Sequence, residues 1–232
     1  FKSRYDDDIN LFEGRWHLAQ YALLVALLLA APWLLGTYYL GELTAVLIWS
    51  LAGLGLMLIS GHTGQVSLGH AAFMAIGAFT NLALMMRGWH FIPALLASAV
   101  TSGVLGAIIS RPILRMSGIY LAIATLALCI IIEDVSIIAE PITGGVAGLF
   151  APPIDMFGLK IDRYTSPAAF YYLCLTVLVI VTLGYLNLLR SASGRSFLAV
   201  RDSEVSARAL GVNVARAKTL SFALSCAMTG LA

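Results

Sequence analysis

The chain has 232 residues, 60% of them hydrophobic and only 11% charged, and its mean hydropathy is +0.91. A soluble domain covers its surface with roughly 25% charged residues, so this composition excludes a water-exposed globular protein and requires a surface that faces lipid. The formal net charge of +2 excludes nothing by its size; the positions of the charges carry the information.

A lipid-crossing helix needs about 20 mostly apolar residues. In chain order, the stretches 18–35, 39–60, 70–86, 91–110, 118–138 and 168–189 come close to that length. The first has the apolar character of a signal peptide but no convincing cleavage site, and a second apolar run follows at once, so it is read as a retained span. A seventh stretch, 214–232, has an apolar part too short to cross, and the chain is expected to continue past Ala232. The predicted organisation is a 1–17 N-terminal segment, six spans over 18–189, a basic segment over 190–213 and the start of a further span. The fold class expected is all-α, a polytopic transmembrane helix bundle.

Lys and Arg collect in short cytoplasmic loops. Segment 190–218 carries Arg190, Arg195, Arg201, Arg208, Arg216 and Lys218 against Asp202 and Glu204, which places it inside. Counting spans backwards puts 139–167 outside, Arg111 and Arg115 inside, Arg87–His90 outside, 61–69 inside and the N-terminus inside. Asp6, Asp7, Asp8 and Glu13 fit the scheme least well.

Within the span at 91–110, Ala94, Ser98, Ser102, Gly106 and Ser110 recur every four residues, a stripe that lets another helix backbone approach closely. Segment 139–167 contains Pro141, Pro152, Pro153 and Pro167 with Gly144, Gly145 and Gly148. It is expected to be a structured loop with a short helix or hairpin. Cys129, Cys174 and Cys226 sit in apolar stretches without metal-ligand spacing and read as small core residues.

Three stretches stand out as carriers of function. The first is Gly61-His62-Thr63-Gly64-Gln65-Val66-Ser67-Leu68-Gly69-His70, whose three glycines in an uncharged polar run break the helix. Broken backbone in a membrane protein is tolerated where protein buries it or water lines it, and discontinuous helices often form transport routes. Gln65, Ser67 and His70 are therefore candidates to line a pathway; a tight turn with helix-capping residues is the other reading.

The second stretch is Arg201 to Gly211. Asp202 or Ser203 can cap a short helix, Glu204 and Arg208 form an i, i+4 pair, and Val205, Ala209 and Val212 share a face. Gly211 suits a left-handed stop and Asn213 can cap the next helix. Such a short amphipathic helix either docks in a partner's groove or lies on lipid. The third stretch is Thr143-Gly144-Gly145-Val146-Ala147-Gly148, either a gate or docking element or a flexible turn.

Glu42, Glu133 and Asp134 fall near span ends, where they can reach water rather than lie deep in the bilayer. No Walker A, HExxH or GxSxG arrangement appears, no basic-aromatic patch suggests nucleic acid, and His17, His62, His70 and His90 are scattered. An enzyme is not expected.

At this point the chain resembles the branched-chain amino acid ABC transporter permeases of the LivM type. The run GHTGQVSLGHAAFMAIGAF from Gly61 is similar to that family's signature, as is the Ser117–Leu126 segment to its next recurrent stretch. Thr143-Gly144-Gly145 followed by Gly148-Leu149 resembles an external family element, and Ser193-Gly194-Arg195 with Arg201 through Gly211 resembles its cytoplasmic coupling segment. The first fourteen residues resemble nothing in the family.

The resemblance implies a multi-pass permease subunit of a bacterial inner-membrane importer, forming an alternating-access pathway for branched-chain amino acids. It implies a second homologous permease, two ATP-binding cassette ATPase subunits that hold the ATP and Mg, and a periplasmic or lipid-anchored binding protein. No cofactor is expected in this chain. Pathway candidates are then Gly64, Gln65, Ser67, Gly69, His70, Thr143, Gly144 and Gly145. Coupling candidates are Arg201, Asp202, Glu204, Ala207, Ala209, Leu210 and Gly211. A urea or short-amide permease of the same family is the alternative. An ion-coupled carrier is a further one, and it has no need of the 190–218 segment.

Overall fold

The computed structural model describes residues 15–113, 118–156, 159–163 and 165–232. The aspartates at 6–8, and Arg115 and Ser117, lie outside them. The helices are α1 (Arg15–Leu34), α2 (Thr37–Thr63), α3 (His70–Met86), α4 (Phe91–Ile113), α5 (Ile119–Ile138) and α6 (Glu140–Thr143). After a 3-10 turn at Gly145–Ala147 and a small hairpin come α7 (Pro167–Arg190), α8 (Ala192–Asp202), α9 (Glu204–Ala209) and α10 (Val214–Leu231). The hairpin strands Ile154–Met156 and Leu159–Ile161 are antiparallel, with Ile154 opposite Ile161. The fold is an all-α membrane bundle. By length and composition α2, α4, α5 and α7 can cross a membrane, while the apolar parts of α1 and α3, Ala19–Leu34 and His70–Met86, are shorter.

The surface of the bundle is apolar, and its interior mixes apolar side chains such as Leu58, Ile59, Phe73 and Phe222 with small hydroxylated ones. Leu24, Val46, Val104, Ile131 and Ile180 are exposed, while Ser98, Ser102, Ser110, Thr125, Ser221 and Ser225 are buried. Lipid gives apolar side chains no reason to associate, so small residues that admit close backbone approach and hydroxyls that hydrogen-bond across helices do the packing. Helix α10 lies at the centre. A methyl group added at Gly77 of α3 would collide with the Gly230 backbone, and one at Gly55 of α2 would stand 2.8 Å from Ser225 O. The α4 stripe Ala94, Ser98, Ser102, Gly106 and Ser110 is buried throughout. It faces α10, with Gly106 against Cys226 and Ser102 against Gly230. Cys226 is buried; Cys129 and Cys174, expected in the core, are only half-buried.

Helix α1 attaches to α7 through a consequence of Pro32. Proline has no N–H and frees the carbonyl four residues earlier, here that of Leu28. The buried Tyr171 hydroxyl donates to Leu28 O at 2.8 Å, and Tyr172 donates to Leu29 O at 2.8 Å. An unpaired carbonyl in an apolar setting is costly, so the helix-breaker and the tyrosines form one device.

Candidate functional site

Helix α2 ends at Thr63 and α3 begins at His70, leaving Gly64–Gly69 as non-helical backbone. Gly64 takes the left-handed conformation (φ 69°) and its N–H turns back to Ile59 O. The chain then turns Gln65, Ser67 and Gly69 into the bundle and leaves Gly64, Val66 and Leu68 exposed. Leu68 N–H donates to Thr125 Oγ1 of α5 at 2.9 Å. Thr125 stands about 9 Å along α5 from Ile119. Gln65 Nε2 donates to Ser221 Oγ at 3.2 Å, and His70 Nε2 lies 2.6 Å from Ser225 Oγ. Those serines stand about 10 and 16 Å along α10 from Val214.

The network also assigns the state of His70. Ser225 donates its one proton to Gly55 O, so it accepts from His70 Nε2–H. Nδ1 then accepts from Ser67 Oγ at 3.0 Å, and Ser67 Oγ in turn accepts from Gly69 N–H at 3.5 Å. Both ring nitrogens are used with the imidazole neutral. Gly69 is required where it stands, because a methyl group there would overlap the Thr125 carbonyl. Ile59, Phe73, Phe222 and Cys226 form the apolar wall beside the network. Gln65 Oε1 is a buried acceptor without a hydrogen-bond partner among the described residues.

The Thr143 region has a different character. The Thr143 hydroxyl donates within its own turn, to the Ser136 and Ala139 carbonyls, and accepts from Gly145 N. Gly144 and Gly145 hold φ of 74° and 57°. A methyl group on Gly144 would overlap Gly148 O, so these residues build a tight corner after α5. A groove of about 500 Å³ runs from Ala71 and Ala75 of α3, past Glu133 of α5, to Gly145 and Val146. The groove therefore joins the corner to the first turn of α3, which follows the break.

The basic end is assembled from caps. Ser191 caps α8 by accepting from Gly194 N, Ser203 caps α9 by accepting from Ser206 N at 3.2 Å, and Asn213 caps α10 by accepting from Arg216 N at 3.0 Å. Gly211 has φ 84°, as a left-handed stop requires. Ala207 is buried, while Val205 and Leu210 are 80% and 81% exposed and Ala209 is exposed. Arg201 and Asp202 pair at the surface at 3.2 Å, and Arg201 Nη1 also donates to Gly61 O at 3.0 Å. That bond joins this segment directly to the last turn of α2.

The expected Glu204–Arg208 pair is long, at 3.9 Å. The short partner of Glu204 is Lys218 of α10, at 2.5 Å. Sequence reasoning missed Lys218, Ser221, Ser225 and Thr125. The i, i+4, i+8 spacing of Ser221, Ser225 and Thr229 in an apolar helix is a signal that could have found the two serines; no such signal marks Lys218 or Thr125. Among the described residues no group of three His, Cys, Asp or Glu could hold a metal ion.

Residues 38–232 match the family described as branched-chain amino acid transport system / permease component. The chain is 32% identical to the high-affinity branched-chain amino acid transport system permease protein LivM of Salmonella typhimurium, over 90% of this chain and 54% of the relative. The Escherichia coli LivM protein is likewise 32% identical, over 90% and 55%. The autoinducer 2 import system permease protein LsrC of Escherichia coli is 25% identical, over 90% and 60%. The chain thus spans about half the length of the LivM relatives it matches. No solved structure matches.

Proposed function

Because the chain belongs to the branched-chain amino acid transport system / permease component family, we propose that it forms the membrane pathway of an ATP-driven importer for branched-chain amino acids. The observation that carries this reading is the non-helical Gly64–Gly69 backbone, which buries Gln65, Ser67 and Gly69, leaves Gly64, Val66 and Leu68 exposed, and is hydrogen-bonded to α5 and α10. Irregular backbone packed in this way is a feature of transport routes. The substrate class comes from the LivM relatives.

In this reading the basic end is cytoplasmic, as the concentration of Arg and Lys supports, and the N-terminus lies on the same side. The α8–α9 corner docks an ATP-binding cassette subunit through the exposed Val205, Ala209 and Leu210. Arg201 ties that corner to the end of α2. ATP and Mg bind the ATPases and no cofactor binds this chain. A second permease and two ATPases complete the complex, and a periplasmic or lipid-anchored binding protein delivers substrate to the loop end. The groove from Gly145 past Glu133 to Ala71 leads from that end toward the break. Alternating access then amounts to opening the break on one side and the groove on the other.

Purifying the tagged full-length protein from its native membrane and identifying its partners tests the proposal. Recovery of ATP-binding cassette subunits, with ATP-dependent leucine uptake in vesicles, is the expected result. A lone protein that takes up leucine without ATP would overturn it. Uptake of urea or a short amide, with no competition by leucine, would keep the importer and replace its substrate.

A further inference from the structure

We propose that Lys218, through its ion pair with Glu204, is the positioning residue that delivers movement of the α8–α9 corner to the buried break. The inference rests on the importer reading above and adds the route by which that corner acts.

Helix α9 has only six residues, too few to transmit force by its own length. What it does is fixed by where it is attached. Ala207 is buried in a cluster with Phe197, Val200, Val214 and Ala217, which seats the corner against the start of α10. The directional tie is Glu204 Oε1 to Lys218 Nζ at 2.5 Å, and the Lys218 side chain is only 12% exposed. A lysine aimed inward near the start of a membrane-type helix is expensive without a carboxylate partner. The pair is therefore held more firmly than a pair of freely solvated side chains.

From Lys218 the chain of contacts continues without a gap. The Lys218 carbonyl accepts the Ser221 hydroxyl at 2.9 Å, and Ser221 Oγ accepts Gln65 Nε2 at 3.2 Å. One turn further along α10, Ser225 holds His70. A displacement of Glu204 thus reaches the break through one ion pair, one helical turn and two serines. Meanwhile Arg201, on the same corner, holds Gly61 O at the end of α2. The corner grips α2, which leads into the break, and α10, whose serines hold it, and a shift of one grip relative to the other acts on Gly64–His70.

The test uses the full-length permease complex with its ATPases in proteoliposomes, with radiolabelled leucine as probe and leucine carried per ATP hydrolysed as readout. The wild type is measured first, and leucine uptake there that needs no ATP sinks the importer reading itself. In Lys218→Gln, the ATPases are expected to stay bound and active while leucine per ATP falls about fivefold or more. Combined with Gln65→Leu, the double variant is expected to be no worse than the more severe single change, because both break the same chain. Lys218→Gln at the wild-type ratio, or two losses that multiply, would overturn the proposal. Should Lys218→Gln fail to assemble, the swapped pair Glu204→Lys with Lys218→Glu takes its place. Coupled transport then supports the ion pair, and an assembled but uncoupled complex overturns it.

Discussion

Helices α10 and α5 are similar in length and sit in the same bundle, yet one is enclosed and the other stands apart. The inward residues of α10 are Ser221, Phe222, Ser225, Cys226, Thr229 and Gly230, and small residues of α2, α3 and α4 close on them. Helix α5 is the more hydrophobic of the two, but its buried residues are Leu121, Ala122 and Thr125, all in its first two turns. Beyond Thr125 it leaves its neighbours. A groove of about 530 Å³, lined by Phe79, Leu84, Ile109, Leu128 and Ile132, opens on one side, and the groove past Glu133 opens on the other. The difference teaches that in this chain hydrophobicity alone does not bring a helix into contact; small and hydroxylated residues set how closely α10 is approached.

The largest expected effect comes from the enclosed helix. Gly77→Val drives side-chain carbon into the Gly230 backbone and is expected to cost about 3 kcal/mol, read as loss of folded protein from membranes and a lower Tm in detergent. Gly53→Ala, at a glycine with open space around it, is expected to be neutral or stabilising by about 0.5 kcal/mol. Equal effects at the two positions would break the comparison.

An intermediate effect is expected where a polar side chain completes a backbone. Tyr171→Phe leaves the Leu28 carbonyl without its donor and is expected to cost about 1–2 kcal/mol. Pro32→Ala supplies an N–H for that carbonyl, so in its presence the loss from Tyr171→Phe is expected to shrink. Independent, additive losses in the thermal-unfolding cycle would refute the link. The smallest effect belongs to α5: Ile131→Ala, at a residue 57% exposed, is expected to change stability by less than about 0.5 kcal/mol. A Tm loss matching that of Tyr171→Phe would show that α5 is packed on that face after all.

Much of this was legible in the sequence, for physical reasons that differ by element. Of the six expected spans, α2, α4, α5 and α7 are helices long and apolar enough to cross, while the apolar parts of α1 and α3 are shorter. The α4 stripe follows from period-four small residues, and the α8–α9 caps from Ser203, Gly211 and Asn213, because such signals are local. The packing of the break was not legible. Its glycines announce a turn, but whether that turn lies on the surface or inside depends on Thr125, Ser221 and Ser225, which are distant in sequence and ordinary in kind. The Glu204–Lys218 pair was hidden for a related reason, since the nearer Arg208 offered a local partner for the same carboxylate. Thr143 was expected beside a pathway, and its hydroxyl is committed to its own corner.

The measurement that bears most directly on the buried break compares stability and uptake in Gln65→Leu. That change removes the bond to Ser221 but also removes the unpaired Oε1, so the two terms offset and stability is expected to stay within about 1 kcal/mol of wild type. Leucine uptake is expected to fall sharply at that unchanged stability. Wild-type uptake, or a loss that merely tracks unfolding, would contradict the account and leave Gln65 as a turn residue.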